Sequence, residues 1–196
     1  MARSRLWLVR HGETEWARLG RHTSRTDVPL TDRGRIEAAA VGRRLQGHRF
    51  VAVLSSPMSR ALDTARIAGF GDRADVLDDL REWDYGADEG RTTAEIREAG
   101  DGRERWTIWR DGPRGGEPIE QVGERADRVI ARAHDQPGDV LVFAHGHVLR
   151  VLAARWLTLP PIDGRHFALG TATISVLGWE RDTPVIERWN EAAPEA

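Results

Sequence analysis

Arg10-His11-Gly12 and His145-Gly146 are the residues best equipped for chemistry. Each follows a short apolar run: Leu6-Trp7-Leu8-Val9 leads into the first, and Val140-Leu141-Val142-Phe143-Ala144 into the second. Short apolar runs ended by glycine predict buried strands. In an open α/β sheet, ligands bind beyond the carboxyl ends of the strands. Two such strands would bring two histidines and an arginine to one sheet edge. That set suits a phosphoryl centre. Arginine matches phosphate oxygens with a fork of donors, and imidazole can act as nucleophile or proton carrier. Arg60 is expected in the first turns of a helix, where the helix N-terminus also favours an anion. Glu82 stands at the mouth of a glycine-rich segment and adds a carboxyl group.

The elements that must position these groups alternate between strand-like and helical patterns. That alternation predicts an α/β fold: a three-layer sandwich with a mostly parallel central sheet flanked by helices. A first strand is expected over Leu6–Val9. Thr31-Asp32 reads as a helix start, with an alanine-rich stretch to about Gln46 and Gly47 as the stop. Phe50–Leu54 reads as a second buried strand. Ser56-Pro57 then reads as an N-cap followed by proline at the first helical position, opening a helix through Arg60 to about Ala68. Ile119, Val122, Ala126, Val129, Ile130 and Ala133 fall on one helical face. After the strand Val140–Ala144, a helix carries Leu149, Leu152, Ala153, Trp156 and Leu157. Thr171–Leu177 and Val185–Trp189 read as closing edge strands, and the tail Glu191–Ala196 is expected to fray. The segment Tyr85–Pro118 has seven glycines and two prolines. It predicts irregular chain around one or two short helices, a natural place for substrate selection. The expectation for the whole is one domain, 1–196, with a selecting insertion at about 85–118.

Composition narrows the classes. A net charge of −2 and a pI near 6.4 provide no global field to recruit nucleic acid or anionic membrane. All 29 basic residues are arginine, so lysine Schiff-base and Walker-type chemistry is excluded. The chain has no cysteine, which excludes disulfides, thiolate catalysis and cysteine metal sites. No signal-peptide core or membrane span is legible, and a cytoplasmic setting is the expectation. His145 and His147 could be read as a metal pair, but no third ligand accompanies them. Neither a metal nor another cofactor is expected.

Arg10-His11-Gly12-Glu13-Thr14-Glu15-Trp16 closely resembles the signature of the histidine phosphatase, or phosphoglycerate mutase-like, superfamily. Further blocks match in order: Leu30-Thr31, Ser55-Ser56-Pro57 ahead of Arg60-Ala61-Leu62-Asp63-Thr64-Ala65, Glu82 with Tyr85-Gly86 and Glu89-Gly90, and His145-Gly146. They span residues 6 to 150. The resemblance implies the phosphoglycerate mutase-like fold, with His11 as nucleophile, Arg10, Arg60 and His145 completing the phosphate pocket, and Glu82 as proton donor to the leaving oxygen. A phosphoryl transfer state needs concentrated positive charge around its equatorial oxygens, and these arginines would provide it. Like charge from a bound phosphate opposes ionisation of a nearby carboxyl, which helps it remain a donor. One position departs from the pattern. Where the family often has a phosphate-binding asparagine, this chain has Ala17. Arg21, His22 and Thr23 are candidates to replace that contact, Gly146 to line the pocket, and Arg114 to reach a second anionic group.

Two reactions fit this set. A phosphomonoesterase on a small phosphorylated metabolite, such as a sugar phosphate, is favoured. The alternative is a cofactor-dependent phosphoglycerate mutase, whose relatives typically carry a longer basic segment between the Glu82 and His145 blocks. Relatives are often homodimers, although no interface is legible here. Trp106 and Trp109, at helical spacing, are expected to pack the core or a lid. His48, His134 and His166 are expected at the surface or in loops.

Overall fold

The computed structural model describes residues 3–99 and 102–192. Its frame is a six-stranded sheet built from β1 (Leu6–Arg10), β2 (Ala52–Ser55), β3 (Ala74–Val76), β4 (Val140–Ala144), β5 (Thr173–Glu180) and β6 (Thr183–Ala192). The spatial order is β3-β2-β4-β1-β5-β6. The pairs β3–β2, β2–β4 and β4–β1 are parallel, and β1–β5 and β5–β6 are antiparallel. The sheet is therefore mixed, with its parallel part carrying the chemistry. β4 is buried at every position, as a strand covered on both faces must be.

The helices are α1 (Glu15–Arg18), α2 (Asp32–Leu45), α3 (Ser59–Ile67), α4 (Thr93–Glu98), α5 (Ile108–Asp111), α6 (Ile119–His134) and α7 (Gly146–Trp156). α2 begins where Thr31 caps it, its side chain accepting from Gly34 N. Along α6, Val122, Ala126, Val129 and Ala133 turn one apolar face into the larger core, where they meet Leu149 and Leu152 of α7. A second core lies on the other face of the sheet, between Val41 and Leu45 of α2, Ala65 of α3, and Val9, Val53 and Phe143. Helices thus cover both faces, the three-layer arrangement that buries both sides of a parallel sheet.

Three local expectations are corrected. β5 is not an edge strand. It pairs with both β1 and β6, so only β6 closes that side. The helix after β2 begins at Ser59 with Met58 at the cap, three residues beyond Ser56. Ser56 is free of the helix because its hydroxyl is engaged by His145. Glu191 and Ala192 continue β6 rather than fraying, while 193–196, like Gly100, lie outside the described residues. The segment 85–118 does hold two short helices, α4 and α5, within irregular chain. Asp88 anchors it. Fully buried, this carboxylate takes a bidentate pair from Arg103 and the backbone N–H of Arg114.

Candidate active site

Strand register assembles the site. Arg10 ends β1 opposite Ala144 of β4, and Ser55 of β2 lies opposite Phe143. The pairing runs one residue further on each side. His11 N donates to Ala144 O at 3.0 Å, and Ser56 N donates to Phe143 O at 2.9 Å. The next residue of the middle strand is His145. Three adjacent parallel strands therefore deliver His11, His145 and Ser56 to one edge. The rings of His11 and His145 stand 5.2 Å apart.

The protonation of His11 follows from its hydrogen bond. Its Nδ1 lies 2.8 Å from Gly12 O, and a carbonyl can only accept, so Nδ1 carries the proton. Burial, with Arg10 and Arg60 nearby, pushes the imidazole well below its usual pKa. The ring is neutral, and Nε2 presents a lone pair. Gly12 N in turn donates to Thr64 Oγ1 at 3.0 Å, which ties the motif to α3.

The two arginines are held differently. Arg10 is half-buried and gives Nη1 to Leu169 O at 2.6 Å, while its buried Nε has no acceptor among the described residues. A guanidinium has five N–H bonds. Most of those of Arg10 therefore await an anion. Arg60 is fully buried, and four contacts hold it: His145 Nδ1, Thr26 O, Thr23 O and Ser24 O. Three of these contacts fasten the loop 23–26, the fourth orients His145, and Asp27 Oδ1 lies 3.9 Å from Nη1. Desolvation lowers the pKa of both guanidiniums, which in the absence of an anion is an unfavourable burial of charge.

Glu82 follows a short 3-10 turn, Asp78–Leu80, and meets the start of α7. Its Oε1 accepts from Val148 N at 2.8 Å and Trp83 N at 2.9 Å, and its Oε2 accepts from His147 N at 2.9 Å. Glu82 is 7% exposed and borders the site's cavity. Gly146 lies against both Glu82 and Arg10. A Cβ there would sit 3.4 Å from Arg10 Nε and 3.7 Å from Glu82 Oε2.

These groups border a cavity of 180 Å³ whose walls include Arg10, His11, Glu82, Gly146, His147 and Arg150. Arg60 and His145 lie directly behind that wall. Ala17 lines it too, as do Arg21, His22 and Thr23, the expected replacements for an asparagine at 17, and each of the three already has a partner. Arg21 is paired with Glu95 at 2.9 Å and with Gly90 O, Thr23 Oγ1 donates to Arg21 O, and His22 Nε2 lies 3.4 Å from Thr93 Oγ1. Arg114 does not reach this cavity. It borders another, beside Trp106 and Arg110. A larger cavity of 690 Å³ touches Glu82 from the opposite side, lined by Arg25, Arg81 and Arg125 among others, but contains neither histidine nor Arg10.

His145 and His147 do not form a metal pair. One faces Ser56 and Arg60, the other puts Nδ1 2.6 Å from Tyr85 Oη, and among the described residues no three His, Asp or Glu side chains are grouped as ligands. Nor, among the described residues, is any helix long and apolar enough to cross a membrane. Sequence reasoning missed Ser56, Thr64, Tyr85, His147 and Arg150. For Arg150, the i, i+4 spacing from Gly146 on one helix face was the available signal.

The model of the histidine phosphatase superfamily (branch 1) matches residues 6–192. The chain belongs to the histidine phosphatase superfamily. An acid phosphatase of Mycobacterium tuberculosis is 44% identical to it over 90% of this chain and 87% of its own. A sedoheptulose 1,7-bisphosphatase of Saccharomyces cerevisiae is 40% identical, covering 78% of this chain and 67% of its own. A solved Mycobacterium tuberculosis open reading frame superposes with a TM-score of 0.91 at 41% identity, over 97% of this chain and 99% of that one. This histidine phosphatase is thus an enzyme of the phosphomonoester hydrolase kind, with the phosphoglycerate mutase-like fold. Its cavity combines a neutral imidazole, unsatisfied guanidinium donors and a carboxyl, the groups that phosphoryl transfer requires.

Proposed function

We propose that this histidine phosphatase hydrolyses a small phosphorylated metabolite, a sugar phosphate, through a phosphohistidine on His11. The observation that carries the reading is the His11 Nδ1–Gly12 O bond, which leaves Nε2 as a lone-pair nucleophile beside the unmatched donors of Arg10. Nε2 attacks phosphorus as the bond to the ester oxygen breaks, and Glu82 gives that oxygen its proton. Water then attacks the phosphohistidine, Glu82 takes the proton from the water, the P–N bond breaks, and inorganic phosphate leaves. Arg10, Arg60 and the His145–Ser56 pair stabilise the equatorial oxygens throughout. The sugar-phosphate class is supported by the bisphosphatase relative.

The test is direct. His11→Ala is expected to abolish hydrolysis of an aryl phosphate without loss of fold, and rapid quench of the wild type into alkaline denaturant is expected to recover an alkali-stable, acid-labile phosphoryl group. Retained turnover in the variant removes His11 as nucleophile. A parallel panel of phosphorylated metabolites, read for both phosphate release and phosphoglycerate isomerisation, separates hydrolase from mutase. Activity is expected to survive a chelator.

A further inference from the structure

One buried ion pair takes no part in phosphoryl transfer to His11. Arg125, on α6, is 8% exposed, and it meets Glu117 just ahead of the same helix. Nε donates to Glu117 Oε1 at 2.7 Å, and Nη2 donates to Oε2 at 2.9 Å. Nη1 serves a different segment. It donates to Asp79 O at 2.7 Å and to Arg81 O at 2.6 Å. The second of these carbonyls belongs to the peptide bond that leads into Glu82. Glu117 holds the chain beyond the proton donor. Its O accepts from Trp83 Nε1 at 2.7 Å, its N donates to Asp84 O at 3.0 Å, and its Oε2 accepts from Asp84 N at 3.4 Å. One pair therefore fastens the chain on both sides of Glu82.

Phosphate recognition does not explain the pair. Its charges cancel, and neither residue borders the cavity that holds His11 and Arg10. Nor does stability, because desolvation of a buried ion pair offsets its attraction, and packed apolar side chains often do as well. What the pair supplies is direction. A guanidinium is a rigid planar fork, so a carboxylate bound to two of its nitrogens fixes where the remaining N–H bonds point. Here they point at the two carbonyls that flank Leu80. The carboxyl of Glu82 itself rests on the start of α7, through His147 N and Val148 N. The proton donor is thus gripped between α6 and α7. A general acid works only within hydrogen-bond reach of its target, and a displacement of about 1 Å costs about 10²-fold in rate.

We propose that Arg125, oriented by Glu117, is a positioning residue for the proton donor Glu82. The proposal rests on the hydrolase reading, in which Glu82 protonates the leaving oxygen. Two esters test it: glycerol phosphate, whose leaving oxygen needs that proton, and p-nitrophenyl phosphate, whose good leaving group does not. The quantity compared is kcat/KM, which reports the steps up to departure of the alcohol and not the later hydrolysis of the phosphohistidine. Arg125→Lys keeps the charge but not the fork. In it, kcat/KM for glycerol phosphate is expected to fall by about 10²-fold, and for p-nitrophenyl phosphate much less. The double variant Arg125→Met with Glu117→Gln leaves no buried charge stranded and is expected to show the same split. Either variant decides the comparison should the other fail to fold. Calorimetry is expected to give each folded variant the wild-type affinity for inorganic phosphate. In the Glu82→Gln background, which has already lost the donor, Arg125→Lys is expected to cost glycerol phosphate nothing further. An equal fall on both esters, weakened phosphate binding in a folded variant, or additive losses from Arg125→Lys and Glu82→Gln overturns the proposal. Failure of the hydrolase reading shows separately, as no phosphate release from either ester by the wild type. Failure of the donor role shows as an equal loss on both esters in Glu82→Gln alone.

Discussion

His145 Nδ1 accepts a 3.1 Å hydrogen bond from Arg60 Nε, and that contact fixes the proton on the opposite side of the imidazole. Arginine cannot accept, so Nδ1 is bare and Nε2 carries the hydrogen. That N–H meets Ser56 Oγ at 2.7 Å, which leaves the serine hydroxyl proton available to a phosphate oxygen. Ser56→Ala is therefore expected to lower kcat/KM for an aryl phosphate by about tenfold, with a small change in melting temperature. Unchanged kinetics would show that the hydroxyl contributes nothing to phosphate.

Thr64 is fully buried, accepts from Gly12 N and donates to Arg60 O at 2.7 Å. Thr64→Val keeps the shape and strands Gly12 N, while Arg60 O keeps its helical N–H. The expected cost is about 1–3 kcal/mol in unfolding free energy, with a fall in kcat because the His11 loop loses its tie to α3. Denaturant unfolding and steady-state kinetics on the same preparation check both effects.

In the proposed mechanism Glu82 is needed as proton donor only where the leaving group needs a proton. Glu82→Gln is expected to lower kcat for alkyl and sugar phosphates by about 10²–10⁴, and for an aryl phosphate with a good leaving group much less. An equal loss on both would assign Glu82 to binding rather than proton transfer.

Burial and neighbouring guanidiniums hold His11, His145 and His147 well below the usual histidine pKa. The unfolded chain titrates near 6.5. Above that pH neither state binds protons at these sites, and the stability they allow is fully present. Below it the unfolded state gains protons that the folded state refuses, so stability falls with pH, by up to about 1.4 kcal/mol per pH unit per histidine. The apo enzyme is expected to melt at progressively lower temperature from pH 7 to pH 5, while kcat/KM persists across that range because His11 stays neutral. A flat melting profile would contradict this.

Gly12 and Gly34 mark the closest backbone approach in the molecule's catalytic half. A Cβ on Gly34 would lie 2.1 Å from Glu13 O, and one on Gly12 would lie 2.4 Å from Gly34 O. Gly34→Ala is expected to destabilise by about 3 kcal/mol or more, read by denaturant unfolding, because backbone must move on both sides.

The sequence was most informative where chemistry is local. The ends of β1 and β4 were legible to within a residue because apolar runs stop at the reactive groups they carry. Ser56 was read as a helix cap since Ser-Pro is a common helix start. What actually holds it is His145, 89 residues away, and no local pattern records that contact. Arg21 looked free to bind substrate because its partner Glu95 is 74 residues distant. Arg150 was overlooked for the converse reason: among 29 arginines, only its position in the folded cavity distinguishes it.

The carbonyl of Leu169 that grips Arg10 sits in a loop pinned from β6, where Gly170 N donates to Asn190 Oδ1 at 2.7 Å and Trp189 Nε1 donates to Ala168 O at 2.6 Å. During synthesis His11 emerges well before Trp189 and Asn190, on which the clamp on its neighbouring arginine depends. A nascent chain halted before β6 would hold its reactive histidine with no anchored guanidinium beside it. The Arg10-His11 motif therefore emerges well before the loop that anchors its arginine can be pinned.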